Sequence, residues 1–193
     1  MNVATRPARW CLGLLLPVLL LGQAAWGGAR VVDVHAEVRD GVVFLDADLA
    51  ISPSQEVIEA MRNSIALNLV LEADIAEPRE WLWDRRLASG KRRLKLEYHA
   101  LSQTWMVTDF AARETHTFTD LSGAVASLSR IRAWRLARWE QLDGRGRRLL
   151  GRMRIRLEVN KLPLPLRVPA LINPAWDLDS DWFLWSLSGE RDE

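Results

Sequence analysis

Val31–Leu49 reads VVDVHAEVRDGVVFLDADL, and its pattern decides the fold class. Val32, Val34, Ala36 and Val38 alternate with polar residues, which in an extended chain puts them on one face. Asp40-Gly41 comes next, and both residues tolerate the positive φ of a two-residue hairpin turn. Val43, Leu45, Ala47 and Leu49 then restore an apolar face, with Asp46 and Asp48 opposite it. The stretch predicts an antiparallel hairpin with one buried and one wet side.

The same reading extends along the chain. Ser52-Pro53-Ser54-Gln55 predicts a helix start, with Ser52 as cap, Pro53 in the first position and Gln55 reaching back. Val57, Ile58 and Met61 form its buried stripe, and Asn63-Ser64 closes it. Ile65, Leu67, Leu69 and Leu71 alternate as a strand that Pro78 limits. Trp81-Leu82-Trp83 opens another strand, ending before Ser89-Gly90. Leu94, Leu96 and Tyr98 predict a strand that turns at Leu101-Ser102-Gln103 and returns through Trp105 and Val107. A second helix is capped by Thr119 or Asp120, stapled by Phe118, and buries Leu121, Ala124, Val125 and Leu128. Ile131–Trp139 is a strand, Asp143–Gly146 a turn. Arg152–Val159 alternates strictly, with Met153, Ile155, Leu157 and Val159 inward and Arg152, Arg154, Arg156 and Glu158 outward. The predicted class is α+β, dominated by antiparallel sheet, as one twisted sheet or two packed sheets with two covering helices. A spacing of roughly 60 residues between the two ββαββ runs allows an internal duplication.

Ahead of this domain, Arg6 and Arg9 precede the apolar run Cys11–Leu21, and small residues come after it. That is the layout of a secretory signal, and the run falls short of the roughly 20 apolar residues of a spanning helix. Cleavage after Ala25 or Gly27 fits; Trp26 beside the site leaves an uncleaved N-terminal anchor as the other reading. The division is therefore 1–27 as signal peptide or anchor, 28–187 as a single α+β domain, and 188–193 as a tail. Cys11 is the chain's one cysteine. No small-residue lipoprotein motif precedes it, so the exported domain has no thiol for disulfides, catalysis or metal. The layout predicts an exported protein, soluble if the leader is cut and membrane-tethered if it is kept.

Removing the two leader arginines leaves 24 basic and 25 acidic residues, a net charge of −1. That balance gives no footing for nucleic acid. The charge is uneven all the same. Val31–Glu77 holds ten acids and two bases, and Arg130–Arg156 holds ten arginines and two acids. Arg152, Arg154 and Arg156 lie on one strand face. They suit a solvated surface, an anionic lipid or acidic partner surface, or contact with the protein's own acidic half. Ten tryptophans stand against one tyrosine, as core filling or as a binding surface.

Leu162-Pro163-Leu164-Pro165-Leu166, Pro169-Ala170-Leu171, Pro174-Ala175-Trp176, Trp182 and Trp185 lie beyond that alternating strand. This end resembles the C-terminal signature of the family catalogued as domain of unknown function 4390, over roughly residues 30–187. The resemblance implies exported proteins of Gram-negative bacteria, often encoded near a two-component sensor kinase, with no assigned activity and no catalytic residues to carry over. Proline lacks an amide hydrogen and favours extended backbone. The segment therefore predicts an extended strap along a sheet edge, with Leu162, Pro163, Leu164, Pro165, Leu166, Pro169, Pro174 and Trp176 as its docking residues. Trp182–Leu187 alternates as a final strand.

Catalytic patterns are sparse. Asp177, Asp179 and Asp181 alternate, but Trp182 and Ser188 stand where a calcium loop has its glycine and glutamate. His35, His99 and His116 share no metal-ligand spacing. Asp46 and Asp48 could pair as carboxylates on one strand face. No nucleophile elbow or phosphate loop occurs. The expectation is a non-enzymatic interaction or accessory module, periplasmic or associated with the inner membrane, without cofactor or metal. A membrane-bound sensor kinase or another envelope protein is the partner implied by the resemblance, and an anionic membrane surface the other. The alternatives are a hydrophobic-ligand or lipid-binding module and an unrecognised hydrolase.

Overall fold

The computed structural model describes residues 27–79, 84–142 and 149–187. Among these described residues, nine strands build two antiparallel sheets. They are β1 (Gly28–Arg39), β2 (Val42–Ser52), β3 (Leu67–Glu77), β4 (Arg85–His99), β5 (Thr104–Asp109), β6 (Glu114–Phe118), β7 (Arg130–Arg138), β8 (Leu149–Leu157) and β9 (Phe183–Leu187). Four α-helices accompany them, two more than expected: α1 (Gln55–Arg62), α2 (Leu121–Leu128), α3 (Trp139–Leu142) and α4 (Leu164–Ile172). The smaller sheet has the order β1-β2-β7 and the larger β6-β5-β4-β3-β8-β9. One apolar core joins the two sheets and the buried faces of α1 and α2.

The opening hairpin forms as its sequence dictates, with Asp40 (φ 50°) and Gly41 (φ 72°) in its turn. Val43, Leu45, Ala47 and Leu49 are buried. Val32 departs from the expected face. It is the extra residue of a β-bulge between Val31 and Asp33, and is 50% exposed while Val31 and Val34 turn inward. A bulge shifts the parity of alternation by one residue, and period-two reading cannot anticipate it.

The cap of α1 is Ser54 rather than Ser52, because β2 continues through Ser52. Ser54 Oγ accepts the Val57 N–H at 3.2 Å, and Val57 and Met61 are buried. In α2 the cap is Asp120, which accepts the Gly123 N–H at 2.8 Å.

At the centre of the larger sheet, β3 lies between β4 and β8 with Leu67, Leu69, Leu71, Ala73 and Ile75 fully inside. Ser89-Gly90 does not end a strand. β4 runs through it, and Gly90 pairs with Ala73. A Cβ on Gly90 would stand 2.6 Å from Leu136 Cδ1 and 3.3 Å from Trp134, so the glycine marks where β7 crosses β4 closely. The expected strand start at Trp81–Trp83 and the turn at Asp143–Gly146 lie outside the described residues. β6 escaped the sequence reading because its side chains are exposed up to Phe118 and show no apolar alternation.

The ββαββ order does recur as β1-β2-α1-β3-β4 and β5-β6-α2-β7-β8, but the pairings do not. β3 pairs with β4, whereas β7 joins β2 and β8 joins β3. The recurrence is one of element order, not of a duplicated sheet.

Candidate functional site

Two surfaces hold the residues singled out in the sequence. The first is the outer face of the larger sheet. The β3–β8 register sets Glu72 opposite Arg154 and Asp74 opposite Arg152. Arg154 Nε and Nη2 donate to Glu72 Oε2 at 2.9 and 2.7 Å. Arg152 Nε and Nη2 donate to Asp74 Oδ2 at 3.0 and 2.9 Å. Lys91 Nζ reaches Glu72 at 2.7 Å and Arg86 lies 3.6 Å from Asp74. The Trp182 ring lies 4.3 Å from the Arg154 guanidinium and 4.6 Å from that of Arg152. Lys91, chiefly by its hydrogen bond, holds the Glu72 carboxyl below the usual carboxylate range; burial opposes this and Arg154 adds to it. Arg156 donates to Asp179 at 3.1 Å. The arginine face is thus first engaged by the protein's own acids, across the strands at Arg152 and Arg154 and from the segment ahead of β9 at Arg156.

The second surface is the segment expected to be an extended strap. It is instead α4, flanked by single 3-10 turns at Val159–Lys161 and Pro174–Trp176. The prolines permit this by position. Pro163 is the cap, with extended φ −54° and ψ 145°, and Pro165 lies in the first turn, where amide hydrogens have no helical partner. Pro169 removes one bond from the interior of a nine-residue helix. Leu162 and Trp176 are buried and pin the two ends. Trp176 Nε1 donates to Glu56 Oε1 at 2.7 Å, and Asn173 Nδ2 to Glu56 Oε2 at 2.9 Å. Glu56 of α1 therefore fastens the turn after α4.

Leu166 and Ala170 pack against the core, one helical turn apart. Leu164, Val168, Leu171 and Ile172 share the other side and are 64 to 76% exposed. Their spacing of four, three and one residues was a helical signal, hidden by the prolines. Gly27 lies against the end of this segment: a Cβ placed on it would stand 2.8 Å from the Ala175 carbonyl oxygen. A cleft of about 470 Å³ opens beside α4, bounded by Gly27, Ala170, Ile172, Arg156 and Asp179.

The sheet edge that the strap was expected to cover is covered by Asp179, Ser180 and β9. Asp179 Oδ1 accepts the Leu157 N–H, Ser180 Oγ the Ile155 N–H, and Ser180 N–H donates to the Ile155 carbonyl. β9 then continues the pairing along β8.

A family model described as domain of unknown function (DUF4390) matches residues 27–186. The chain belongs to this family. No curated protein and no solved structure matches it. In this DUF4390 chain the Leu-Pro-Leu-Pro-Leu run and the Trp-rich end are therefore α4, the Glu56-held turn and β9.

The remaining candidates disperse over this DUF4390 fold. Asp179 is spent on Arg156 and Leu157 N–H rather than converging with Asp177 and Asp181. Asp46 accepts the Ala133 N–H at 2.7 Å and Asp48 pairs with Arg132 at 2.6 Å, so both brace β7. His35, His99 and His116 are exposed on three different strands. Among the described residues no three potential ligands gather in a metal-binding arrangement.

Proposed function

We propose that this DUF4390 protein is a non-enzymatic accessory module of the cell envelope that lies on a membrane surface through α4. One observation carries the reading: four exposed aliphatic side chains share one side of α4, beside the point where the chain arrives at Gly27. Six residue steps separate Leu21 from Gly27, a reach of at most about 22 Å. A leader kept as an anchor would join the domain at this point.

An interfacial helix buries its apolar side some 5–10 Å into the headgroup and acyl boundary. Leu164, Val168, Leu171 and Ile172 present the side chains for this, each worth on the order of 1–2 kcal/mol when withdrawn from water. Exposed Lys161 stands at the helix start, where anionic headgroups would attract it. Export to the periplasm, by a leader that is cut or kept as an anchor, belongs to the same proposal. A membrane-bound sensor kinase remains the partner implied by the family resemblance, and a module lying on the bilayer is placed to meet one.

Amide hydrogen exchange of the full chain, with and without vesicles of phosphatidylethanolamine and phosphatidylglycerol, tests the reading. Slower exchange over residues 164–172 with vesicles is expected, and Val168→Asp with Leu171→Asp should abolish the difference. Equal exchange in both conditions would remove the membrane role.

A further inference from the structure

The strand β7 carries two irregularities, and together they aim its arginines. Along β2, Leu45 pairs with Trp134 and Ala47 with Ile131, so Arg132 and Ala133 both face the single residue Asp46. Ala133 takes φ 49°, and its N–H is held by Asp46 Oδ1 at 2.7 Å. A second shift leaves Leu136 without a partner, between Arg135 and Ala137. Buried side chains consequently come at every third residue, Ile131, Trp134 and Ala137. In a regular strand, residues five apart point to opposite faces. The bulge reverses that parity, so Arg130, opposite Asp48, and Arg135, opposite Phe44, share a face; both also line one cleft.

That cleft, of about 680 Å³, lies between β7, α2 and the β4–β6 part of the larger sheet. Its size is ordinary for a small-molecule site. Leu94, Val107, Leu128 and Ile131 contribute an apolar floor. The acids that line it are already engaged. Asp109 receives Arg92 Nε at 2.8 Å and the Ala111 and Ala112 N–H groups, and Glu114 meets His116 at 3.3 Å. Arg132 is turned to Asp48 and the Ala47 carbonyl. Arg130 and Arg135 have no acid or carbonyl partner among the described residues. The cleft is therefore lined by two arginines without an acid or carbonyl partner among the described residues, together with an apolar floor.

We propose that the cleft between β7 and β4–β6 is a binding site for a small anionic ligand bearing a carboxylate or phosphate, held by Arg130 and Arg135. The planar guanidinium offers paired donors that match the oxygens of either group. An apolar floor lowers the local dielectric and strengthens the attraction relative to an arginine on an open surface. The site is remote from the exposed side of α4 in its lining residues, and the inference is independent of membrane docking.

Calorimetric titration of the full chain at low ionic strength tests it, with citrate and with pyrophosphate as separate probes. Saturable binding of at least one is expected, weakened about tenfold or more by Arg130→Gln with Arg135→Gln. Arg138→Gln, on the same strand but outside the cleft, should leave it unchanged. Binding of citrate alone assigns the site to carboxylates, and binding of pyrophosphate alone to phosphates. Saturation by neither probe up to about 10 mM would overturn the inference, as would an equal loss in Arg138→Gln. The double variant removes exposed side chains without partners among the described residues, so its circular dichroism and unfolding midpoint should match the parent.

Discussion

Gly27 rests on the carbonyl oxygen of Ala175, close enough that an added Cβ would stand 2.8 Å from that oxygen and 3.3 Å from Ser54 N. The contact ties the start of β1 to the turn after α4 and to the cap of α1. Gly27→Val in the full chain should therefore displace the backbone on one side or the other. Overpacking of this kind costs about 1–3 kcal/mol. The urea midpoint should fall accordingly, and an unchanged midpoint would show that the contact does not form.

Glu56 holds Trp176 Nε1 and Asn173 Nδ2 at once. Glu56→Ala leaves both donors without their acceptor, at a cost of about 1–3 kcal/mol. The effect should be local as well as global. Amide exchange over residues 164–176 should rise more than that of β3. Uniform acceleration would indicate that α4 is not fastened through Glu56.

The indole of Trp185 covers Gly151, its cross-strand partner at the edge of the larger sheet. A Cβ on Gly151 would overlap Trp185 Cε2. Gly151→Ala should expel the ring and loosen β9, again by about 1–3 kcal/mol. Trp185→Leu should relieve the clash, so the double variant should be more stable than the sum of the single losses. Strict additivity in urea denaturation would refute the contact.

Glu72 gives a pH dependence with a defined sign. Its folded pKa is lowered from an ordinary 4.5, so the folded state favours the charged carboxylate more than the unfolded state does. The resulting stability is present above the unfolded pKa and is lost as pH falls through the folded value. Lys91 is the largest cause, so Lys91→Met should flatten the loss of stability between pH 7 and the acid range, as should Glu72→Gln. An acid limb as steep in both variants as in the parent would contradict this.

The hairpin at Val31–Leu49, β3 and β8 were legible because each turns an apolar face to the core and a more polar face away from it, and alternation is the direct imprint of that arrangement. The features that escaped did so for specific reasons. Val32 and the Arg132–Ala133 pair are bulges, which change parity without changing composition. Gly90 looked like a turn because close packing under Trp134 and Leu136 uses the same residue that turns do. The prolines of Leu162–Trp176 suggested an extended strap, although Pro163 and Pro165 sit where a helix tolerates them. Arg152 and Arg154 were visible as a charged face, but their engagement by Glu72, Asp74 and Trp182 depends on strand register and on a tryptophan beyond α4. The apolar side of α4 became visible only once the segment was helical.

The central claim is that this side of α4 enters a bilayer, and a depth-sensitive probe tests it most directly. With Cys11→Ser removing the one native thiol, bimane would be attached at Val168→Cys and, as a control, at Leu101→Cys on the exposed β4–β5 turn. Vesicles with brominated acyl chains should quench and blue-shift the probe at 168 and leave that at 101 unaffected. Equal quenching at the two positions, or none at 168, would contradict the account.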